Sequence, residues 1–273
     1  MDGDGGPTHA ETFQQDGHVM LRGVLGEPVM RRCRIAAHAE IKRARAESPE
    51  APRHRPVDYF TALKLCERYP VLRDVVCSPQ LARLAAAALG VERVRLLYDQ
   101  LFAKPPGGSC TMWHQDQGFL PIDTSGVIEE GRVGLARGWV SLTALPAEVG
   151  GLHFVDGSHR FGPIDRTDLQ IGAPGRRDTA TIKGCDLSIT DYGAFGAGDA
   201  TLHAGYTLHA SRRNPTERTR YSVAVVYVPD GARVAEPADE MQELAIDVHT
   251  PGRRPGDVID TAANPILWPA EAA

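Results

Sequence analysis

In the stretch TMWHQDQGFLPID, residues 111–123, His114 and Asp116 stand one residue apart. On an extended chain, residues i and i+2 project from the same face. An imidazole nitrogen and a carboxylate oxygen can then take adjacent corners of one metal ion while Gln115 points away. Two ligands make a weak site, so the third decides. It is available in GDATLHAGYTLHASRRNPTERTRYSVAVVYV, residues 198–228, which offers His203 and His209 at the same strand parity. Two histidines and a carboxylate around iron leave positions open on the opposite side, enough for a chelating cosubstrate and dioxygen. A cosubstrate such as 2-oxoglutarate would chelate through its keto-acid end and leave a distal carboxylate in need of a cation. Arg220 suits that task, because its planar fork matches a carboxylate with two parallel hydrogen bonds. On a strand it shares a face with Ser222 and Ala224, which are small enough to leave room for a diacid. Arg212, Arg213 and Arg218 read as solvated charges.

The elements that must position these residues divide the chain in two. Residues 27–47 carry Val29, Cys33, Ile35, Ala36 and Ile41 at helical spacing, with Pro28 suited to a first turn. A second helix is predicted from Ser78 as cap and Pro79 to a stop at Gly90. After residue 90 come short runs of period-two alternation, among them RVRLLYDQLFAK, ARGWVSLTALP, GGLHFVDGS, DATLHAG, YTLHASR and RYSVAVVYVP, separated by turn residues. Strands following helices in this way predict a sandwich or barrel decorated by helices. Residues 157–187, rich in Gly, Arg and Asp, are expected to form a long loop between strands. With residues 117–134 this loop would close over the mouth. One domain is expected over residues 11–236, after a disordered stretch 1–10 and before a C-terminal extension 237–273.

Taken together, HQD, GWVSLTALPAEVGGLHFVDGSH and LHASRRNPTERTR resemble the phytanoyl-CoA dioxygenase-like family of Fe(II)/2-oxoglutarate-dependent oxygenases, in its bacterial branch. The resemblance runs from about Phe13 to about Gly231. It implies a mainly β fold with flanking α-helices, the double-stranded β-helix or cupin-like jelly roll. It implies His114, Asp116 and His209 as iron ligands, the last favoured over His203 by Ser211, Asn214 and the eleven-residue step to Arg220. By the same resemblance Arg220 grips the distal carboxylate of 2-oxoglutarate with help from Ser211, and Gln100 and Trp139 line the cosubstrate pocket. Trp113, Phe119 and His203 are then candidates for the substrate pocket. Lys64 aligns with a cosubstrate lysine of some members only across a gap and is left out. The cofactors implied are Fe(II), 2-oxoglutarate and O2, with succinate and CO2 released as a small molecule is hydroxylated, cyclised or epimerised. Halogenating relatives replace the carboxylate with a small residue, whereas Asp116 keeps it.

Composition narrows the class further. A formal net charge of −5 leaves no basic surplus for nucleic acid or anionic lipid, so neither is expected as a partner. No apolar run is long enough to span a membrane, and the N-terminus lacks a basic start and an apolar segment, so a cytoplasmic location is expected. The five scattered cysteines suggest neither a disulfide framework nor a zinc knuckle. An acyl-CoA substrate would call for a basic patch that the arginines near Arg176 and Arg177 are too few to make. The bacterial branch resembled then implies tailoring of a bacterial natural product, as in antibiotic biosynthesis. Two rivals remain at this stage: a jelly-roll binding module without turnover, and a cupin-type hydrolase or isomerase using zinc or manganese as a Lewis acid.

Overall fold

The computed structural model describes residues 7–47, 59–129, 132–173 and 176–269. Helix α1 (His9–Asp16) leads into β1 (His18–Leu21) and the long α2 (Glu27–Glu47). Then come β2 (Phe60–Leu63), α3 (Leu65–Arg68), α4 (Pro70–Val76) and α5 (Pro79–Leu89). Strands dominate from there: β3 (Val94–Lys104), β4 (Thr111–His114), β5 (Ile122–Asp123), β6 (Ala136–Ser141), β7 (His153–Val155), β8 (Leu169–Ala173), β9 (Arg176–Ile182) and β10 (Cys185–Asp191). They continue through β11 (Ala200–Ala204), β12 (His209–Ser211), β13 (Arg220–Pro229) and β14 (Arg233–Val234). The chain closes with α6 (Glu240–His249) and β15 (Ile266–Trp268).

Two antiparallel sheets carry the fold. The larger has the order β1-β11-β6-β13-β3-β15, with β2 also paired to β3; the smaller has the order β4-β12-β7-β10-β9-β8. Strand β13 shows why they pack as they do. Its run from Val223 to Val228 is buried on both faces, as expected of a central strand covered on both sides. Val223, Val225 and Tyr227 join the main core, which also holds Met30, Cys33, Leu81 and Leu89 from the helices. Arg220, Ser222 and Ala224 are buried on the other parity, the one that the alternation predicts for the cavity. The helices therefore cover the outer face of the larger sheet and leave its inner face for chemistry. Helix α5 ends as its sequence requires. The Ser78 hydroxyl accepts from the Leu81 amide, Pro79 opens the first turn, and Gly90 closes it in the left-handed region at φ 71°.

Three expectations need correction. Residues 157–187 are not an unpatterned loop: β8, β9 and β10 form a meander that widens the smaller sheet. Its buried Ala180 and Ile182 alternate with Thr179 and Thr181, a period-two signal hidden by the surrounding Gly, Arg and Asp. The expected boundary at residue 236 matches no break in the fold. Strand β15 pairs with β3 and buries Leu267, while α6 buries Ile246 against Leu97, Tyr98 and Leu120. Buried Asn264 ties the two together, its side-chain amide lying 3.0–3.1 Å from the Leu96, Leu97 and His249 carbonyls. Order also begins earlier than residue 11. Thr8 caps α1 in a reciprocal box with Glu11, and only residues 1–6 of the expected disordered stretch lie outside the described residues.

Candidate metal centre

His114 ends β4 and lies directly across from His209, the first residue of β12. Asp116 is not on the strand with His114 as the spacing suggested; it opens a single 3-10 turn, Asp116–Phe119. The same-face geometry survives because Gln115 between them is extended, at φ −118° and ψ 126°. The Gln115 side chain points away as expected. Its amide nitrogen donates to the Gly162 and Tyr206 carbonyls and its oxygen accepts from the Ile164 amide. That staple fixes the turn from which Asp116 projects.

His114, Asp116 and His209 each offer one ligand atom, and the three atoms lie within 4.8 Å of one another. The tautomers follow from the neighbours. His114 Nδ1–H donates to the Met112 carbonyl at 2.8 Å, and His209 Nδ1–H donates to the Thr207 carbonyl at 2.9 Å. In both rings the proton sits on Nδ1 and the Nε2 lone pair is left facing Asp116, the arrangement that presents histidine to a metal. His203 differs at this atom. Its Nε2 lies 3.1 Å from Asp116 Oδ2, and because a carboxylate can only accept, Nε2 must carry the proton. Its buried Nδ1 has no partner among the described residues. The hydrogen bonds thus separate two histidines that periodicity left equivalent.

Asp116 is 4 % exposed. Burial by itself would raise its pKa, but the Arg137 guanidinium, 2.6 Å from Oδ1, and the neighbouring histidines hold the carboxyl well below the usual carboxylate range. Arg137 stands on β6 directly opposite His203 on β11, so the two reach Asp116 from adjacent strands. Burial pushes His209 well below its ordinary value, which keeps the ring neutral. A carboxylate and two neutral imidazoles with free Nε2 atoms make a donor set suited to a divalent ion.

From this cluster a cavity of about 480 Å³ extends between the sheets. Its lining includes Arg220, Trp139, Ser211 and Gln100, all expected there. The Arg220 guanidinium stacks 5.4 Å from the Trp139 ring centre and, among the described residues, otherwise makes only long contacts, 3.3–3.4 Å, to the Gly150 and Gly151 carbonyls. Gln100 is partly engaged, its oxygen accepting from Arg137. Lys104, which the sequence reading passed over, also lines the cavity. Its signal was legible: Gln100, Phe102 and Lys104 alternate along β3, and all three face the cavity.

At the mouth, Phe119 lines the cavity as expected. Trp113 does not. The alternation of β4 turns it away from His114 onto a cluster with Val155, Ala180, Ile182 and Leu208. Among the described residues, the expected lid over residues 157–187 contributes none to the cavity lining. Met241, Leu244, Ala245 and Val248 of α6 close that side instead, and Gln242 anchors the helix by donating to the Gly118 carbonyl.

Two facing antiparallel sheets with a His-x-Asp and a distal His between them define a jelly-roll metalloenzyme. The sequence match to the family model described as "Phytanoyl-CoA dioxygenase (PhyH)" runs over residues 13–222, and the chain belongs to that family. No curated protein matches it in sequence. Among solved structures it is similar to the non-heme alpha ketoglutarate dependent carbocyclase SnoK from nogalamycin biosynthesis, with TM-score 0.70 and 22% identity over 96% of this chain and 99% of that one. The epimerase SnoN, in complex with Fe3+, alpha ketoglutarate and nogalamycin RO, matches with TM-score 0.69 and 22% identity over 95% of this chain and 97% of that one. EvdO2 from Micromonospora carbonacea var. aurantiaca, complexed with 2-oxoglutarate, matches with TM-score 0.58 and 20% identity over 88% and 98%. The protein is a non-haem Fe(II)/2-oxoglutarate-dependent dioxygenase that works with iron, 2-oxoglutarate and O2. The binding-module and cupin-hydrolase rivals fall with that family membership. No helix among the described residues is long and apolar enough to cross a membrane.

Proposed function

We propose that the protein tailors a bacterial natural product, oxidising an apolar, ring-bearing small molecule by hydroxylation or by a radical cyclisation or epimerisation, with release of succinate and CO2. In this reading His114, Asp116 and His209 hold the iron, Arg220 and Ser211 grip the distal carboxylate of 2-oxoglutarate, and Gln100 and Trp139 complete that pocket. Iron with the oxo acid supplies the oxidising power of the site. The protein's part is to position and to shield. Arg137 and His203 hold Asp116 to a fixed orientation, and Trp139 covers one face of Arg220 against water.

The observation that carries the substrate class is the mouth. Met241 is 63 % exposed, Leu244 55 % and Phe119 53 %, yet all three line the cavity. Large apolar side chains collected at the rim of a site mark the surface that a ligand covers. The relatives from nogalamycin biosynthesis support the same reading, one being an alpha ketoglutarate dependent epimerase and the other a carbocyclase. The test is decarboxylation of 2-oxoglutarate in the presence of a panel of aromatic polyketide glycosides, sugar-rich oligosaccharides and phytanoyl-CoA. Succinate release stimulated by the polyketides alone supports the reading; stimulation only by the acyl-CoA or by the oligosaccharides overturns it.

A further inference from the structure

A row of side chains leads from the metal centre to a hydrogen-bonded triad that the proposed reaction does not use. Arg137, His203 and His18 occupy facing positions on the neighbouring strands β6, β11 and β1. The last of these, His18, is buried and stacks on the Phe154 ring at 4.5 Å with 13° between the planes. Its Nε2 lies 3.0 Å from Asp156 Oδ1, and its Nδ1 lies 2.8 Å from the Tyr192 hydroxyl. A carboxylate only accepts, so Nε2 carries the proton, Nδ1 keeps its lone pair, and the Tyr192 phenol donates to it. Burial and the Asp156 and Asp16 carboxylates push that phenol up. It therefore holds its proton at neutral pH, and its oxidation needs a base to take that proton. His18 stands ready to do so, with Asp156, whose side chain is 29 % exposed, beside the imidazolium that would form.

Phe154 joins the triad to the metal centre. Its ring centre is 6.1 Å from that of Tyr192, 5.4 Å from that of His203 and 6.2 Å from that of His209. Tyr192 is thus two ring contacts from a proposed iron ligand. Other phenols are not equipped in this way. Tyr98 lines the cavity, but its hydroxyl faces the Arg137 guanidinium at 3.5 Å, which cannot accept a proton. The buried Tyr227 hydroxyl has no partner among the described residues. Tyr69 donates to Glu40, among the helices behind the larger sheet.

We propose that Tyr192 is an internal electron donor to the oxidised metal centre in turnovers that find no substrate, with His18 as its proton acceptor. The inference rests on the reading that iron and 2-oxoglutarate act at His114, Asp116 and His209. The phenol loses one electron to the metal centre, its O–H bond breaks, and an N–H bond forms at His18 Nδ1. The products are a neutral tyrosyl radical, an imidazolium paired with Asp156, and a metal centre reduced by one electron. A one-electron reductant of the ascorbate class restores the half-buried tyrosine from solvent, and the proton returns from His18. Oxidising power is thereby led away from the ligand histidines and the aromatic side chains around them, one way in which a protein excludes competing reactions at a reactive centre.

The experiment exposes the Fe(II)-loaded protein to O2 with 2-oxoglutarate and no substrate. Samples are freeze-quenched for EPR and, in parallel, digested for peptide mass spectrometry. Wild type is expected to give a tyrosyl signal that narrows when the protein is made with ring-deuterated tyrosine. Tyr192→Phe should remove that signal and raise hydroxylation of peptides around the metal centre at least several-fold per O2 consumed. His18→Gln can keep both hydrogen bonds, accepting from Tyr192 through its carbonyl and donating to Asp156 through its amide, but cannot take up the proton. It should therefore behave as Tyr192→Phe does, whereas a merely structural role for His18 would be rescued by glutamine. An unchanged charge-transfer absorption of the anaerobic Fe(II) and 2-oxoglutarate complex reports that both variants are folded with the site intact. Equal hydroxylation in wild type and Tyr192→Phe, a radical signal that survives Tyr192→Phe, or wild-type protection in His18→Gln overturns the proposal and leaves the metal-site reading standing. A wild type that gives no charge-transfer absorption and consumes no O2 overturns both.

Discussion

Replacing His203 and His209 in turn separates ligand from support. In the proposed site His209 would offer Nε2 to the metal, its other nitrogen being locked by the Thr207 carbonyl. A structural ion held by four protein ligands gains about 10–16 kcal/mol, or roughly 3 kcal/mol for each ligand. His209→Ala is therefore expected to weaken divalent-metal binding by at least about 100-fold, each factor of ten being about 1.4 kcal/mol. His203 makes one hydrogen bond to the Asp116 carboxylate at 3.1 Å. A bond to a charged group is worth about 1.5–3 kcal/mol, but Arg137 still holds the other oxygen at 2.6 Å. His203→Ala should then cost about 10-fold, near the lower end of what supporting residues cost. His203→Gln, which keeps a donor, should recover most of that loss, whereas His209→Gln should not. The assay is calorimetric titration with Co(II), with the visible d–d spectrum as a check on coordination number. A His203→Ala variant that loses the metal while His209→Ala keeps it would refute the argument from the tautomers.

Other predictions bear on the support and the mouth. Arg137→Met leaves Asp116 buried without its guanidinium partner, a change that costs about 3–5 kcal/mol when a buried pair is broken. A divalent ion takes over that compensation, so saturating Mn(II) should raise Tm more in the variant than in wild type; equal gains would contradict it. Leu244→Asp places a charge on the apolar rim and should raise KM for an apolar substrate at least several-fold without moving the affinity for 2-oxoglutarate, measured by steady-state kinetics and by calorimetry. Gly198→Ala puts a methyl group 1.9 Å from the Leu25 carbonyl at a φ of +91°, so chemical denaturation should show a loss of about 2 kcal/mol or more.

How much of this was legible from the sequence depended on distance along the chain. The strands bearing Gln100, Trp139, His203, His209 and Arg220 follow from local alternation, and α5 from its cap and stop residues, because each signal lies within one element. The His-x-Asp pair was readable even though Asp116 sits on a 3-10 turn, since an extended Gln115 is enough to align the two side chains. The place of Lys104 in the cavity was not, because it comes from the register that sets it against Arg220. Arg137 was hidden likewise: on a strand of otherwise small and apolar residues its partner, Asp116, lies 21 residues earlier. The largest misreading concerned α6. Its sequence, EMQELAIDVH, leaves Met241 and Leu244 exposed, a poor core stripe that made the segment look peripheral. Those side chains face the cavity, so their exposure belongs to the site.

The central claim is that iron and 2-oxoglutarate meet at the cluster of His114, Asp116 and His209. The most direct measurement is anaerobic titration of the protein with Fe(II) and 2-oxoglutarate, following the weak metal-to-ligand charge-transfer absorption in the visible. The account predicts a saturable band in wild type that is absent in His209→Ala and needs far more 2-oxoglutarate in Arg220→Ala. No band in wild type, with iron bound no better than zinc or manganese, would contradict it.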